Sequence, residues 1–268
     1  MSAADTRPLV VVTGASSGIG QALAREAHRR GWRLALMARR EATLRAWVAQ
    51  QGWTAADAAV YAADVQDVAS ITAAGRACLA AQGLPQRVIA NAGISLGVDT
   101  RHAEDLAVME QVLRTNLLGV AATFQPFIGP MCDRGQGQLV GIASVAGVRG
   151  LPGHGAYCAS KAGLIAYLES LRGECRPHGV QVQALLPGYV DTPLTRDNRY
   201  PMPFRLGADA FARRAWRVMD AGGAWRVVPW PMAVVARLMR QLPAALFDRL
   251  IAGQPRKHRH PGAHADAP

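Results

Sequence analysis

Tyr157 and Lys161 lie four residues apart in a run, 156–176, whose pattern predicts a helix closed by Pro177 and Gly179. At that spacing the two side chains share one helix face. A phenol with a pKa near about 10 is a poor base at neutral pH. An ammonium beside it stabilises the phenolate and lowers that pKa. A phenol brought toward the working pH suits general acid/base catalysis. Ser144 follows a strand-like run, 138–143, so its hydroxyl stands at the carboxyl end of a strand, where open α/β sheets bind ligands. Each residue also has a plainer reading. A lone Tyr and Lys at helical spacing are equally a half-buried aromatic and a surface charge, and a serine after a strand is a common turn residue.

A second group of residues points to a phosphate. Thr13-Gly14-Ala15-Ser16-Ser17-Gly18-Ile19-Gly20 joins the apolar run 9–12 to a helical run, 21–30, that Gly31 stops. The glycines let the backbone turn tightly and approach a pyrophosphate, and the helix start at Gly18 to Gly20 offers unpaired N–H groups and a positive dipole end. The spacing is G-x-x-x-G-x-G rather than G-x-G-x-x-G. An ordinary tight βα turn is the alternative, and the strand–turn–helix context favours a dinucleotide held by Gly14, Ser16, Ser17, Gly18, Ile19 and Gly20. The next strand, 33–38, ends in Arg39-Arg40 with no carboxylate before Glu41, which opens the following helix. An acid in that place takes a ribose 2′-hydroxyl, whereas two guanidiniums suit a 2′-phosphate. Ser16 offers a hydroxyl beside them. NADP(H) is therefore expected in preference to NAD(H), against the alternative of two solvated arginines.

The elements that must position these groups alternate. Strands are predicted at 9–12, 33–38, 58–62, 88–90, 138–143 and 180–186. Helices are predicted at 21–30, 41–51, 65–82, 103–133 (interrupted around Pro126 and Pro130) and 156–176. Such alternation with short connections specifies an α/β fold with a doubly wound, mostly parallel sheet, a single Rossmann-fold domain. Beyond Pro187 the pattern loosens. A Pro- and Arg-rich loop is expected at 193–206, a helix at 208–219, a last strand at 226–228 and an amphipathic helical stretch at 232–252, bent near Pro243. The chain thus divides into a dinucleotide-binding catalytic domain, 1–229, whose substrate loop and helix span 193–221, a helical extension, 230–253, and a basic disordered tail, 254–268.

Taken together, the motifs resemble those of the short-chain dehydrogenase/reductase family from about Leu9 to Thr192. They are Thr13-Gly14-x-x-x-Gly18-x-Gly20, Asp64-Val65, Asn91-Ala92-Gly93, Asn116, Ser144, Tyr157-x-x-x-Lys161 and Pro187-Gly188-x-Val190-x-Thr192, in that order. The resemblance implies an NADP-preferring oxidoreductase that interconverts an alcohol and a carbonyl, with a looser likeness to bacterial members similar to ketosphinganine reductases. It implies catalytic roles for Asn116, Ser144, Tyr157 and Lys161. Ser144 and Tyr157 hold the substrate oxygen, Tyr157 gives and takes the proton, Lys161 holds the nicotinamide ribose, and Asn116 keeps a water that relays protons. Asp64 and Val65 resemble contacts to adenine. Asn91, Ala92 and Gly93 resemble the lining of the cofactor cleft. Pro187, Gly188, Val190 and Thr192 resemble the wall beside the nicotinamide. Ala90 stands where many members carry a second Asn. A homo-oligomer built through the helices of Asn116 and Tyr157 is also implied.

Composition bounds the alternatives. The 268 residues carry a formal charge of +11, and from Arg196 onward 13 Arg or Lys face 5 Asp. That bias serves an anionic partner or a solvated face. No aromatic platform or reading motif accompanies it, so no nucleic acid is expected. The stretch 232–252 places Val235, Met239, Leu242, Leu246 and Leu250 at three- and four-residue steps, a predicted apolar stripe flanked by arginines. Such a stripe packs on the enzyme's own substrate cleft, capping the site for an apolar or lipid-like carbonyl compound, packs on a partner subunit, or lies peripherally on a membrane. Residues 1–7 are polar without a secretory-signal shape, no run of about 18 uncharged apolar residues occurs, and the four cysteines form no metal-site spacing. A cytoplasmic protein with reduced thiols and no metal is expected, acting on a small-molecule carbonyl or alcohol. A non-catalytic NADP(H)-binding sensor is the competing reading. Four intact catalytic positions weigh against it.

Overall fold

The computed structural model describes residues 5–196, 198, 201–253, 255, 257 and 259. The apolar runs become strands β1 (Leu9–Thr13), β2 (Arg33–Ala38), β3 (Ala58–Ala62), β4 (Arg87–Ala90), β5 (Gly137–Ile142), β6 (Val180–Pro187) and β9 (Trp225–Val228). They form one sheet in the order β3-β2-β1-β4-β5-β6-β9, and every neighbouring pair is parallel. The order reverses between β1 and β4. At that point the chains leaving the two strands turn to opposite faces, which opens a crevice at their carboxyl ends.

Alternate side chains of β1 serve opposite faces. Val10 and Val12 pack with Leu23 of α1 (Gly18–Arg29), Leu44 of α2 (Glu41–Gln50) and Trp216 of α7 (Ala208–Ala221). Leu9 and Val11 pack with Ile71 of α3 (Val68–Gln82), Phe124 of α5 (Gly119–Arg134) and Leu164 of α6 (Gly155–Cys175). The sheet is therefore covered on both sides, as a continuous β-branched strand pattern requires.

Several boundaries differ from those the sequence suggests. Asp67 caps α3 by accepting from the Ala69 N–H, so the helix starts at Val68 and leaves Val65 in the turn after β3. The long helix expected at 103–133 is α4 (Asp105–Leu113), a π-helical turn at Arg114–Leu118, and α5. Its irregularity lies at Asn116 and not at the prolines. Pro126 and Pro130 sit inside α5, and the Pro126 ring packs where Gly75 of α3 leaves room. The expected loop at 193–206 contains Leu206 of β8 (Leu206–Gly207), which pairs with β7 (Val190–Asp191); Asp197, Arg199 and Tyr200 lie outside the described residues.

The expected apolar stripe at 232–252 is not continuous. Leu242 turns extended (ψ 134°) before Pro243 and separates α8 (Pro231–Gln241) from α9 (Ala244–Ile251). The phase is reset there. Met232, Ala236 and Phe247 are buried, whereas Leu246 and Leu250 are exposed, as are Val234 and Leu238. Three residues of the expected disordered tail are described, and two of them are held against the body of the protein: Lys257 donates to Ser95 Oγ, and Arg259 pairs with Asp105. The other residues from 254 onward, and residues 1–4, lie outside the described residues. Among the described residues no helix is long and apolar enough to cross a membrane.

At the amino end of the sheet, away from the crevice, Arg87 is buried between Trp32 and Trp216, 5.1 and 4.5 Å from their ring centroids. It also pairs with Asp220 of α7 at 2.9 Å. Trp216 is fully buried and donates from Nε1 to the Leu23 carbonyl at 3.1 Å, which ties α7 to α1. Trp216→Ala should lower stability by roughly 3–5 kcal/mol, the range for a fully buried aromatic. Chemical denaturation would check this, and a loss under about 1 kcal/mol would show that the cluster does not hold α7.

Candidate active site

The crevice is built first from backbone. Gly14 has φ +65°, and a Cβ there would stand 2.8 Å from Ala92 Cα. A Cβ at Gly20 would collide with the Gly14 carbonyl oxygen. The glycine turn is thus pressed onto the end of β4 and onto its own helix. Thr13 Oγ1 accepts from the N–H groups of Asn91 and Ala92 at 3.1 and 3.2 Å, and Asn91 Nδ2 donates to the Thr13 carbonyl at 3.0 Å. These bonds lace the carboxyl ends of β1 and β4 together.

Asn116 fixes the next segment. It is fully buried in the π-helical turn, where the widened backbone lets its side chain reach inward. Its Oδ1 accepts from Ile94 N and its Nδ2 donates to Ile94 O, both at 2.9 Å. Nδ2 also donates to Ser160 Oγ at 3.0 Å, and Ser160 in turn donates to the Tyr157 carbonyl at 2.8 Å. Asn116 therefore joins the strand-end segment to α6.

Ser144 begins a 3-10 turn after β5, with Oγ accepting from Ala146 N at 3.1 Å. That turn sits directly on α6, because a Cβ at Gly147 would stand 2.8 Å from the Lys161 carbonyl carbon. The contact brings Ser144 to the cleft that Tyr157 also lines. Burial pushes the phenol up from its ordinary pKa, and the Ser144 hydroxyl pulls it down. The lowering expected from Lys161 is not among these causes, and the phenol is raised in the chain by itself. Lys161 Nζ donates to the Ile142 carbonyl at 2.8 Å and lies 5.8 Å from the Tyr157 ring centroid. Burial pushes its ammonium down to about 8.

The expected site residues converge on one cleft of about 570 Å³. Gly14, Ser16, Ser17, Gly18 and Ile19 of the glycine turn line it, as do Arg39, Arg40, Asp64 and Val65 after β2 and β3. Asn91, Ala92 and Gly93 after β4, Ser144, Tyr157 and Lys161, and Pro187, Gly188, Val190 and Thr192 line it as well. Gly20 and Asn116 stand behind the surface and shape it. Arg39 and Arg40 are exposed, and Arg40 Nη2 lies 3.5 Å from Ser16 Oγ. Glu41 is engaged by Arg45 at 2.7 Å. The positive-φ glycines, the helix start and the two guanidiniums fit a dinucleotide phosphate chain.

Sequence reading missed several participants. Ser160 and Gly147 act through α6, Ser95 and Lys257 line the cleft, and Met232 of α8 packs behind Gly188. Their partners are remote in sequence, so no local pattern marks them. Helices α8 and α9 supply none of the described lining residues of this cleft, although Met232 of α8 backs Gly188. His154, which as a loop histidine reads as solvated, is buried, and burial lowers its pKa. Cys158 is buried, in keeping with a packing role.

A family model described as short chain dehydrogenase matches residues 8–202. The chain belongs to the short-chain dehydrogenase family. An uncharacterized oxidoreductase of Myxococcus xanthus is 37% identical over 240 residues, 89% of this chain and 94% of that protein. An acetoacetyl-CoA reductase of Synechocystis is 35% identical over 187 residues, 70% of this chain and 73% of that protein. A crystal structure of a short-chain dehydrogenase from Streptomyces avermitilis superposes with a TM-score of 0.74 at 23% identity, covering 86% of this chain and 92% of the other. At that identity it speaks for the fold. As a short-chain dehydrogenase, the chain is an oxidoreductase that moves a hydride between NAD(P)(H) and a small-molecule alcohol or carbonyl.

The buried Lys161 has a measurable consequence. Between about pH 8 and 10.5 the unfolded chain holds a proton there that the folded chain has released, so this residue makes stability rise with pH across that window. Relative to Lys161→Met, the wild type should gain on the order of 1–3 kcal/mol between pH 7 and 10.5. Denaturant titrations at both pH values would check it; a difference that stays flat or shifts the other way is incompatible with a desolvated ammonium.

Proposed function

We propose that the chain is an NADP(H)-dependent oxidoreductase in which Tyr157 is the acid/base that interconverts a carbonyl and a secondary alcohol. The observation that carries the reading is that Ser144, Tyr157 and Lys161 line one cleft, with Lys161 buried and its Nζ 5.8 Å from the Tyr157 ring centroid. Ser144 and Tyr157 together donate to the substrate oxygen, and Tyr157 gives its proton to the alkoxide as it forms. Burial keeps that phenol protonated, which suits the donor role. Lys161 holds the nicotinamide ribose and, as an ammonium, favours the phenolate left behind. Asn116 fixes the backbone from which a water relays protons to Lys161. The bound nicotinamide supplies the hydride and takes it back in the reverse direction.

For the cofactor, Gly14, Ser16, Ser17, Gly18, Ile19 and Gly20 form the phosphate turn, and Arg39 and Arg40 clamp the 2′-phosphate with Ser16 beside them. Their exposure at the cleft rim and the engagement of Glu41 by Arg45 support NADP(H) over NAD(H). Asp64 and Val65 contact the adenine. Asn91, Ala92 and Gly93 line the cofactor cleft, and Pro187, Gly188, Val190 and Thr192 wall the nicotinamide. The name of the Synechocystis relative, a reductase of acetoacetyl-CoA, supports carbonyl reduction as the reaction. Residues 1–229 form the catalytic unit and 230–253 its helical extension. The protein works in the cytoplasm as a homo-oligomer; its exposed Trp230, Val234 and Leu238, beside Arg237, are the residues a peripheral membrane contact would use.

Tyr157→Phe removes the proton donor and leaves the phosphate turn and Lys161. Turnover should fall by about 10²-fold or more while NADPH binding persists. Steady-state rates and a fluorescence titration would show it, and a variant keeping over about a tenth of kcat would end the Tyr157 assignment. A second variant tests the cofactor. Arg39→Asp with Arg40→Ala puts a carboxylate where the 2′-phosphate would sit, so the ratio of kcat/KM for NADPH over NADH should drop by about 10-fold or more. An unchanged ratio contradicts the NADP preference.

A further inference from the structure

Ser144 sits at the head of a short 3-10 turn, Val145–Gly147, between β5 and α6. The turn rests on α6 through Gly147. A second hold comes from residues far along the chain. Arg149, two residues past the turn, is half-buried. Its Nη1 donates to the carbonyls of Met239 and Leu242, the latter at 2.7 Å, and lies 3.4 Å from the Arg240 carbonyl. In return, Arg240 Nη1 donates to the Val148 carbonyl at 2.9 Å. Two guanidiniums thus clasp the turn of Ser144 to the end of α8 in both directions.

The end of α8 needs such a donor. The last carbonyls of an α-helix have no intrahelical partner. Leu242 N still reaches the Leu238 carbonyl, but the next residue is Pro243, which has no N–H to offer Met239. Leu242 is extended there, so the helix does not continue. Arg149 stands in for the missing donors, and a cation at a helix C-terminus also meets the negative end of the helix dipole. The same guanidinium lies 4.0 Å from the centre of the buried Phe247 ring of α9. One side chain therefore joins the turn, α8 and α9.

The first turn of α8 backs another part of the cleft. A Cβ at Gly188 would stand 2.8 Å from Met232 Cγ, and Gly188 N donates to the carbonyl of Val228, the last residue of β9. Met232 is buried in the same apolar cluster that Val145 and Val148 pack against. Helix α8 is therefore fixed at its start to the segment after β6 and at its end to the segment after β5. Gly188 and Ser144, which line the cleft, belong to those two segments, whereas α8 itself contributes no described lining residue. It acts on the cleft from behind.

We propose that α8 and α9 are a brace for the catalytic wall, in which Arg149 and Arg240 are positioning residues for Ser144. Neither arginine touches substrate or cofactor. Together they hold the turn in place, so that the Ser144 hydroxyl stays where, with Tyr157, it meets the substrate oxygen. Small displacements of such a group cost rate, because the reacting geometry is narrow. The catalytic role of Ser144 rests on the oxidoreductase reading above; the clasp itself does not.

Amide hydrogen exchange and steady-state kinetics on the full chain test the brace. Arg149→Met keeps the stem and removes the donors. It should speed exchange of the Gly147 and Val148 amides, which close the turn, by about 10-fold or more, since bonds from a charged donor are lost. Arg240→Gln should speed it less, Arg149→Lys should recover part of the protection, and Leu238→Ala, on the exposed face of α8, should change nothing. Reduction of acetoacetyl-CoA, ethyl acetoacetate and cyclohexanone by NADPH supplies the second reading. In Arg149→Met, kcat on the best of these should fall about 10-fold while KM for NADPH stays within about 2-fold. On top of Ser144→Ala the same substitution should cost less than about 2-fold, because Arg149 acts through Ser144. Unchanged exchange at Gly147 and Val148, an undiminished kcat, or a full loss that persists on top of Ser144→Ala overturns the proposal. If circular dichroism shows Arg149→Met to be unfolded, Arg240→Gln carries the same comparisons. A wild type that reduces none of the ketones with NADPH or NADH counts against the oxidoreductase reading, and exchange then decides the brace by itself.

Discussion

The carboxyl ends of β1 and β4 must stay together while the chains leaving them separate to opposite faces of the sheet. Each end exposes backbone groups that have lost their ladder partners, and buried ones need replacements. Thr13, Asn91 and Asn116 supply them: a threonine hydroxyl accepts two N–H groups across the gap, and two amide side chains take up the neighbouring backbone. Because these replacements are side chains, the gap can remain open as a cleft and still be rigid. The glycines follow from the same constraint. At Gly14 the closed gap leaves no room for a Cβ, and at Gly20 none remains between the helix and its own turn.

The catalytic wall depends on that frame at one remove. Asn116 bonds Ser160, Ser160 bonds the Tyr157 carbonyl, and Gly147 lets the turn of Ser144 lie on the backbone at Lys161. The result places a phenol and an ammonium out of water, with no carboxylate among the described residues acting on either. Such a site costs stability, as pKa values moved by desolvation report. The opposite end of the sheet is built to another rule. There Arg87 is also desolvated, but it has Asp220 and two indole faces, and the surrounding tryptophans supply apolar burial. A charge kept with partners secures the fold at one end, and a desolvated ammonium, Lys161, lines the cleft at the other.

How far the sequence could be read follows from the range of each contact. The glycine turn, Tyr157-x-x-x-Lys161 and the strand ends are local patterns, and the sheet that brings them to one cleft is dictated by the alternation of strands and helices. Asn116 was legible only as a family resemblance, since the π-helical turn that aims it has no sequence mark. Lys257 and Ser95 are 162 residues apart, and nothing near either names the other. The stripe over 232–252 misled for a physical reason. Periodicity assumes a continuous helix, and one extended residue, Leu242, shifts the phase so that Phe247 turns inward while Leu246 and Leu250 face solvent.

The excess of positive charge reads differently once its members are placed. Several of the basic residues serve internal structure. Arg30 and Arg87 tie α7 to the amino end of the sheet through Asp220, Arg25 ties α1 to α7 through Asp209, and Arg149 donates to the last carbonyls of α8 while stacking 4.0 Å from the centre of Phe247. Others line the cleft: Arg39, Arg40, Lys161 and Lys257. Ion pairs such as those with Asp209 and Asp220 set positive charge against negative, so they account for little of the net excess.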